Sequence, residues 1–150
     1  MAPFNLERFV AAQAPLWPGV RAELAAGTKR THWMWFIFPQ IAGLGHSPMS
    51  QTYAISGAAE ARAYLAHPLL GPRLREATAL ALTHAAQPAA LVFGAVDAAK
   101  FRSCLTLFAT VSGDPLFTQA LAQFFGGAAD EATLARLNAT PPPAPNATHP

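Results

Sequence analysis

The spacing of hydrophobic and polar positions predicts a succession of short helices along most of the chain. Apolar residues recur three or four positions apart, which places them on one face of an α-helix. The clearest case is the segment that contains Phe101, Cys104, Leu105 and Phe108. A strong apolar face also follows Pro115, again at helical spacing. The pattern therefore favours helices that each bury one side.

Capping residues, prolines and glycines separate these segments. Residues predicted to cap helix N-termini are Asn5, Ser47, Ser56, Asp97, Asp114 and Asp130. The fold class predicted is mainly all-α: a compact multi-helical single domain of short helices, unlike a regular four-helix bundle. This domain is predicted to span 1–137. Residues 138–150 contain five prolines among the last ten positions, and they predict a disordered Pro-rich tail.

One stretch, from Lys29 to Gln40, departs from the amphipathic pattern. Two cations and an imidazole lead directly into six consecutive apolar residues, and Pro39 and an amide follow. Periodicity cannot distinguish a helix from a strand in so short an apolar run. We favour a short helix with Thr31 as its cap, because no second strand of similar quality exists to pair with it. The tryptophan pair in the run is expected to lie mostly in the core.

Composition limits the classes of function. Hydrophobic residues make up 52% of the chain and charged residues 12%, which excludes a disordered protein, and the many alanines favour helices. The formal net charge of +2 and the absence of long basic runs argue against nucleic-acid binding. We found no signal sequence and no apolar run of membrane-spanning length, so the expectation is a soluble cytoplasmic protein without a membrane partner.

No metal or cofactor is predicted. A single cysteine, Cys104, excludes an intramolecular disulfide and a cysteine-based zinc site, and its place on an apolar stripe predicts a buried, inert thiol. His32, His46 and His67 lack the spacing that would suggest a metal site.

The first candidate site lies at the start of the unusual stretch. Lys29 and Arg30 are suited to a phosphate or carboxylate, and Trp33 to stacking on a base or sugar. His32 is the leading candidate for acid–base catalysis, because an imidazole can serve as either acid or base. The Gln40 amide needs a partner if it is buried, and it either caps a neighbouring helix or orients a ligand.

The second candidate site lies near Asp97. Lys100 and Ser103 are three residues apart and share a helix face, and Arg102 lies between them. Lys100 is predicted to reach an anion or a carboxylate. The order Lys-x-x-Ser is the reverse of the Ser-x-x-Lys of acyl-transfer enzymes, so a nucleophilic role for the serine has little support.

Two further residues complete the candidates. Glu60 is one of only eight acids, and it could stabilise an oxocarbenium ion or activate water. Its alternative role is an exposed acid near a helix start, where the helix dipole favours it. Tyr53 could stack on a ligand or pack in the core.

Several motifs together resemble a known family. They are the segment 5–13, the run from His32 to Gln40 with Gly43-Leu44-Gly45, Tyr53-Ala54-Ile55, the segment 60–68 and the segment 97–108. They look like the bacterial and fungal family of unknown function numbered 1810, often labelled calpastatin-like, over roughly 5–137. The resemblance implies a small, mainly helical single domain and no agreed activity. The compact pattern does not resemble a disordered protease inhibitor.

The order of motifs is also faintly similar to that of helical N-glycosidases that act on ADP-ribose-like or riboflavin-precursor substrates. Together with the two polar clusters, this leads to one functional expectation. The domain binds a small anionic, nucleotide-like ligand between the segment 29–40 and the helix 97–103, and N-glycosidase-like hydrolysis of that ligand is a further hypothesis. Whether the protein is an enzyme stays open. The alternative is a non-catalytic protein-interaction module that uses the aromatic segment 32–40.

Overall fold

The computed structural model of the protein describes residues 4–139, so the predicted tail lies almost wholly outside the described residues. Within this range the chain forms helices and no strand, which confirms the all-α prediction. The helices are α1 (Glu7–Gln13), α2 (Trp17–Ala26), α3 (Met34–Ile37), α4 (Pro48–Thr52), α5 (Ala58–Ala66), α6 (Leu70–Leu82), α7 (Ala89–Phe93), α8 (Ala95–Ser112), α9 (Pro115–Phe125) and α10 (Glu131–Ala139).

Helix α8 is the central element of the core. It contacts α5, α7, α9 and α10, and Phe101, Cys104, Leu105 and Phe108 on it are fully buried. Burying an aromatic or branched side chain contributes about 1.5–3 kcal/mol, so this stripe is a main source of stability. Thr106 and neighbouring residues are buried as well, and the helix is therefore covered on more than one side.

The aromatic run forms the single turn α3, as favoured from the sequence. Phe36, Ile37 and Phe38 are buried, and the Phe38 ring packs edge-on against Phe101 with ring centroids 4.9 Å apart. After Pro39 the backbone is extended, because the Gln40 carbonyl accepts a hydrogen bond from the Ile55 N–H at 2.9 Å. The run thus connects the core at α8 with the loop before α5.

The predicted caps are partly correct. Ser47, Asp114 and Asp130 each accept a hydrogen bond from a backbone N–H in the first turn of the helix that follows. Four predictions were wrong. Helix α1 starts after Leu6 rather than Asn5, α3 after Trp33 rather than Thr31, α5 after Gly57 rather than Ser56, and α8 after Gly94 rather than Asp97.

The start of α8 depends on Gly94. Its φ of 87° and ψ of 156° lie in a region that is open to glycine and closed to other residues. Helix α7 ends one residue earlier, at Phe93, so this single glycine forms the whole turn between the two helices. None of the helices described over residues 4–139 is long and apolar enough to cross a membrane.

Candidate functional site

The two polar stretches predicted from the sequence meet at a cavity of about 390 Å³. It lies between the 29–35 segment and the first turns of α8. We call it the tryptophan cavity. Its lining residues are Lys29, His32, Trp33, Met34, Trp35, Phe93, Gly94, Ala95, Val96, Asp97 and Lys100.

The loop that leads into this cavity is held by Glu23 on α2. Its Oε1 accepts hydrogen bonds from the backbone N–H groups of Arg30 and Thr31 and from the Trp33 indole N–H at 3.0 Å, and its Oε2 accepts one from the Thr31 hydroxyl. Burial opposes ionisation of Glu23, but these four bonds outweigh it and lower the pKa to about 2. The carboxylate therefore stays charged and fixes the 30–33 backbone.

Lys29 is largely a structural residue. Its Nζ lies 2.8 Å from Asp97 Oδ2 and 5.0 Å from the centre of the Trp33 ring, and its side chain is only 6% exposed. Its backbone N–H also donates to the Val92 carbonyl at 2.8 Å. These contacts join the loop to α7 and α8.

Lys100 is more accessible. Its Nζ lies 3.6 Å from Asp97 Oδ1 and 5.3 Å from the centre of the Trp35 ring. A weak ion pair and a cation–π contact keep this ammonium at the cavity without burying it. The indole of Trp35 is itself only partly buried. Lys100 therefore places a cation over the partly exposed Trp35 ring in the cavity.

The two tryptophans of the run differ in burial. Trp33 was expected to face a ligand, yet it is 1% exposed and contributes to the lining with little of its surface. Trp35 was expected in the core and is instead partly exposed in the cavity. Trp33 precedes α3 and its indole donates a hydrogen bond to Glu23, whereas Trp35 lies within α3.

His32 is exposed and lines the tryptophan cavity, in agreement with its predicted location. Arg30 is exposed too, but it lines a separate cleft of about 110 Å³ beside Glu23 and Thr28. The predicted catalytic role of His32 and the predicted ligand contact of Arg30 stay predictions.

A second cavity of about 330 Å³ adjoins the first. We call it the amide cavity, after Gln40. Its lining residues are Gln40, Leu44, Gly45, Val96, Ala99, Lys100, Ser103, Asp130 and Ala132. Val96 and Lys100 line both cavities, so they form the boundary between them.

Glu60 lies in a different environment. It is 3% exposed, its Oε2 is 3.0 Å from the Arg8 guanidinium, and its Oε1 accepts the Ser56 N–H at 2.8 Å. Arg8 in turn donates to the carbonyls of Thr52 and Ala54. Among the described residues Glu60 belongs to neither cavity lining, and this geometry indicates a structural role that connects α1 with the loop before α5.

Tyr53 and Arg102 also hold the fold. The Tyr53 ring packs against Phe9 and Phe36, with ring centroids 5.7 and 5.4 Å apart. Arg102 donates to the carbonyls of Ala128 and Ala129, just before α10. Of the predicted ligand-binding residues, Lys29, Trp33, Gln40 and Ser103 line a cavity, together with the predicted catalytic residues His32 and Lys100.

Sequence reasoning missed three residues at the site. Asp97 was taken as a cap, but it lies in the first turn of α8 and faces both lysines. Trp35 was assigned to the core, and Glu23 was not considered. An acid six residues before Lys29 gives no local signal, because its partners are backbone and side-chain groups of a loop. Over residues 4–139, no group of three His, Cys, Asp or Glu side chains is placed to hold a metal ion.

These features define a small all-helical domain with a basic, tryptophan-lined cavity at the start of its central helix. The chain belongs to the DUF1810 family, described as "Protein of unknown function (DUF1810)", whose model matches residues 3–137. It is also similar to a solved structure, the conserved hypothetical protein Rv1873 from Mycobacterium tuberculosis. The two chains are 48% identical with a TM-score of 0.90, covering 93% of this chain and all of the other. The comparison with curated proteins gave no match.

Proposed function

We propose that the tryptophan cavity binds a small anionic ligand that carries a planar ring, of the nucleotide class. The observation that carries this proposal is the pairing of Lys100 with Trp35, a cation next to a partly exposed indole inside a cavity. The phosphate would contact the Lys100 ammonium and the base would stack on Trp35. Both side chains are only partly buried, so a ligand can contact them.

The charge of the cavity favours an anion. Lys29 and Lys100 contribute two positive charges, and Asp97 contributes one negative charge. First-turn residues of α8 also line the cavity, and the N-terminus of a helix carries a partial positive charge. His32 at the same surface provides a further donor when it is protonated.

The size of the cavity agrees with this class of ligand. Cavities for small molecules span roughly 300–1,000 Å³ and combine apolar walls with a few polar groups. Here Met34, Phe93 and Val96 provide apolar contacts beside the lysines. A ligand the size of a nucleoside monophosphate suits about 390 Å³.

Fewer observations support hydrolysis of the ligand. The N-glycosidase hypothesis requires a carboxylate near the sugar, and Glu60 is bound to Arg8 and Ser56 instead. Asp97 is the carboxylate that lines the tryptophan cavity, and Lys29 holds it at 2.8 Å. The alternative of an interaction module is not favoured either, because Trp33, Phe36 and Phe38 are buried.

Calorimetric titration tests the binding proposal. The probes are AMP, GMP and UMP, each compared with its own nucleoside, which lacks the charge, and with ribose 5-phosphate, which lacks the ring. We expect at least one nucleotide to bind, and its two partial analogues to bind at least about tenfold more weakly, since each omits one of the two contacts.

Amino-acid substitutions test whether the nucleotide binds in the tryptophan cavity. Lys100→Met should weaken nucleotide binding about tenfold or more without lowering the melting temperature appreciably, because hydrogen bonds to a charged group contribute about 1.5–3 kcal/mol. Arg62→Gln is the matched control: it removes an exposed cation on α5 that lines neither cavity, and it should leave the affinity unchanged. Equal affinities of wild-type protein and Lys100→Met, or no binding of any nucleotide, would overturn the proposal.

A further inference from the structure

The amide cavity differs in chemistry from the tryptophan cavity that it adjoins. Its polar lining consists of the Gln40 amide, the Ser103 hydroxyl and the Asp130 carboxylate, and Lys100 at the shared boundary is its cation. Aromatic rings line the first cavity, and among the described residues none lines the second. One cavity therefore suits a flat ring, and the other suits a group that forms hydrogen bonds.

Two polar groups of the amide cavity, the Gln40 amide and Asp130 Oδ1, are available to a ligand. Within residues 4–139 the side-chain amide of Gln40 has no hydrogen-bond partner, although its backbone carbonyl is bound to Ile55. Asp130 Oδ2 accepts bonds from Ser103 and from the backbone and side chain of Thr133, and no described donor is bound to its Oδ1. An amide offers donors and acceptors, and a carboxylate oxygen accepts, which together suit hydroxyl groups.

The same charges disfavour a second anionic group. A phosphate in the amide cavity would face the Asp130 carboxylate, with Lys100 as the cation between the cavities. A neutral group rich in hydroxyls has no such repulsion. Val96 and Lys100, one turn apart on α8, line both cavities, so a diphosphate at Lys100 would lie where the two cavities meet.

We propose that the two cavities form one extended site for a nucleoside diphosphate sugar, with the base on Trp35, the diphosphate at Lys100 and the sugar hydroxyls at Gln40 and Asp130. This inference rests on the proposed function and extends it by naming the second half of the ligand. It also gives the otherwise unpaired Gln40 amide a partner.

The test compares three ligand series by calorimetry: AMP, ADP-ribose and ATP; GMP, GDP-mannose and GTP; UMP, UDP-glucose and UTP. In the series whose monophosphate binds, the diphosphate sugar should bind at least about tenfold more tightly than the monophosphate and more tightly than the triphosphate. Gln40→Leu should lower the affinity for the sugar nucleotide about tenfold and change the affinity for the monophosphate far less.

A control variant and the possible binding results distinguish a failure of this inference from a failure of the proposed function. Gln119→Leu removes an exposed amide on α9 and should change neither affinity. If the monophosphate binds but the sugar adds no affinity, if the triphosphate binds more tightly than the sugar nucleotide, or if Gln40→Leu has no effect, the two-cavity site is wrong and the nucleotide site stands. If no monophosphate and no sugar nucleotide binds, both are wrong.

Discussion

Glu23 shows how a single carboxylate determines which aromatic residue is buried. It accepts hydrogen bonds from two backbone N–H groups, from the Thr31 hydroxyl and from the Trp33 indole. These bonds direct Trp33 inward, and Trp35, two positions later, faces the cavity. The accessible indole on which the proposed site depends therefore follows from a residue on another helix.

The lowered pKa of Glu23 gives a prediction about acid stability. The folded-state pKa of about 2 lies below the ordinary value of 4.5, so the unfolded chain takes up a proton first as the pH falls. The stabilisation from Glu23 is complete above about pH 4.5 and is lost progressively towards pH 2. Glu23→Gln should lower stability by about 1–3 kcal/mol at pH 7, and this deficit should shrink between pH 4.5 and 2.

Thermal unfolding of both proteins across that pH range measures the deficit. Glu131→Gln, which changes an exposed acid in the first turn of α10, is the control and should show a small, nearly pH-independent difference. A deficit of Glu23→Gln that stays constant down to pH 2 would contradict the assigned pKa.

Cys104 provides a second prediction for a single residue. The thiol is fully buried on α8, and burial raises its pKa well above the ordinary value. Thiolate is the reactive form, so a disulfide reagent should modify the native protein no faster than the protein unfolds, and the denatured protein at once. Stoichiometric modification within seconds in native buffer would show that the thiol is accessible.

At the scale of elements, the Arg8–Glu60 pair connects α1 with α5. Both side chains are mostly buried, at 19% and 4% exposure, and Arg8 also donates to the carbonyls of Thr52 at the end of α4 and of Ala54 in the loop before α5. Removing one member of a buried pair leaves the other charge uncompensated. Glu60→Gln should therefore destabilise the protein by about 3 kcal/mol, measured by chemical denaturation.

The matched control is Glu76→Gln, which breaks the exposed Arg21–Glu76 pair, with side chains 56% and 41% exposed. That change should cost about 1 kcal/mol or less. Similar losses for the two variants would contradict a structural role for Glu60. Unchanged stability combined with lost ligand turnover would support the catalytic role predicted from the sequence.

Replacement by alanine should change stability in opposite directions at two glycines, Gly94 between α7 and α8 and Gly19 within α2. Gly94 has a backbone conformation that alanine resists, although no atom lies near its missing Cβ, so Gly94→Ala should destabilise by about 1–3 kcal/mol. Gly19 lies within α2 with equal space around it, and Gly19→Ala should stabilise by about 0.5–1 kcal/mol. Melting curves that shift in the same direction for both would refute this account.

At the scale of the whole molecule, periodicity and stop signals predicted the fold class well. The stripe on α8 has the burial expected from its spacing, and the caps at Ser47, Asp114 and Asp130 form as expected. The sequence did not predict the helix starts after Gly57 and Gly94, because neither helix has a side-chain cap that its sequence would indicate. Their starts are set by backbone conformation and by tertiary packing.

The candidate site could be predicted in part. The two clusters of polar residues in a chain with few charges do meet, and His32, Lys100, Gln40 and Ser103 line the resulting cavities. The sequence could not show that Lys29 and Glu60 would be held in ion pairs, because their partners are 68 and 52 positions away. Such pairings depend on how helices pack, and no local spacing encodes them.

The central claim is that a nucleotide occupies the tryptophan cavity between Trp35 and Lys100. The most direct measurement follows the three indole N–H resonances, from Trp17, Trp33 and Trp35, in a ¹H–¹⁵N spectrum during titration with the nucleoside monophosphate that binds. Trp17 packs on Arg73 outside the cavity and serves as an internal control. We predict a large saturable shift for Trp35, a smaller one for Trp33 and none for Trp17, all absent in Lys100→Met. An unchanged Trp35 resonance at saturating nucleotide would contradict the claim.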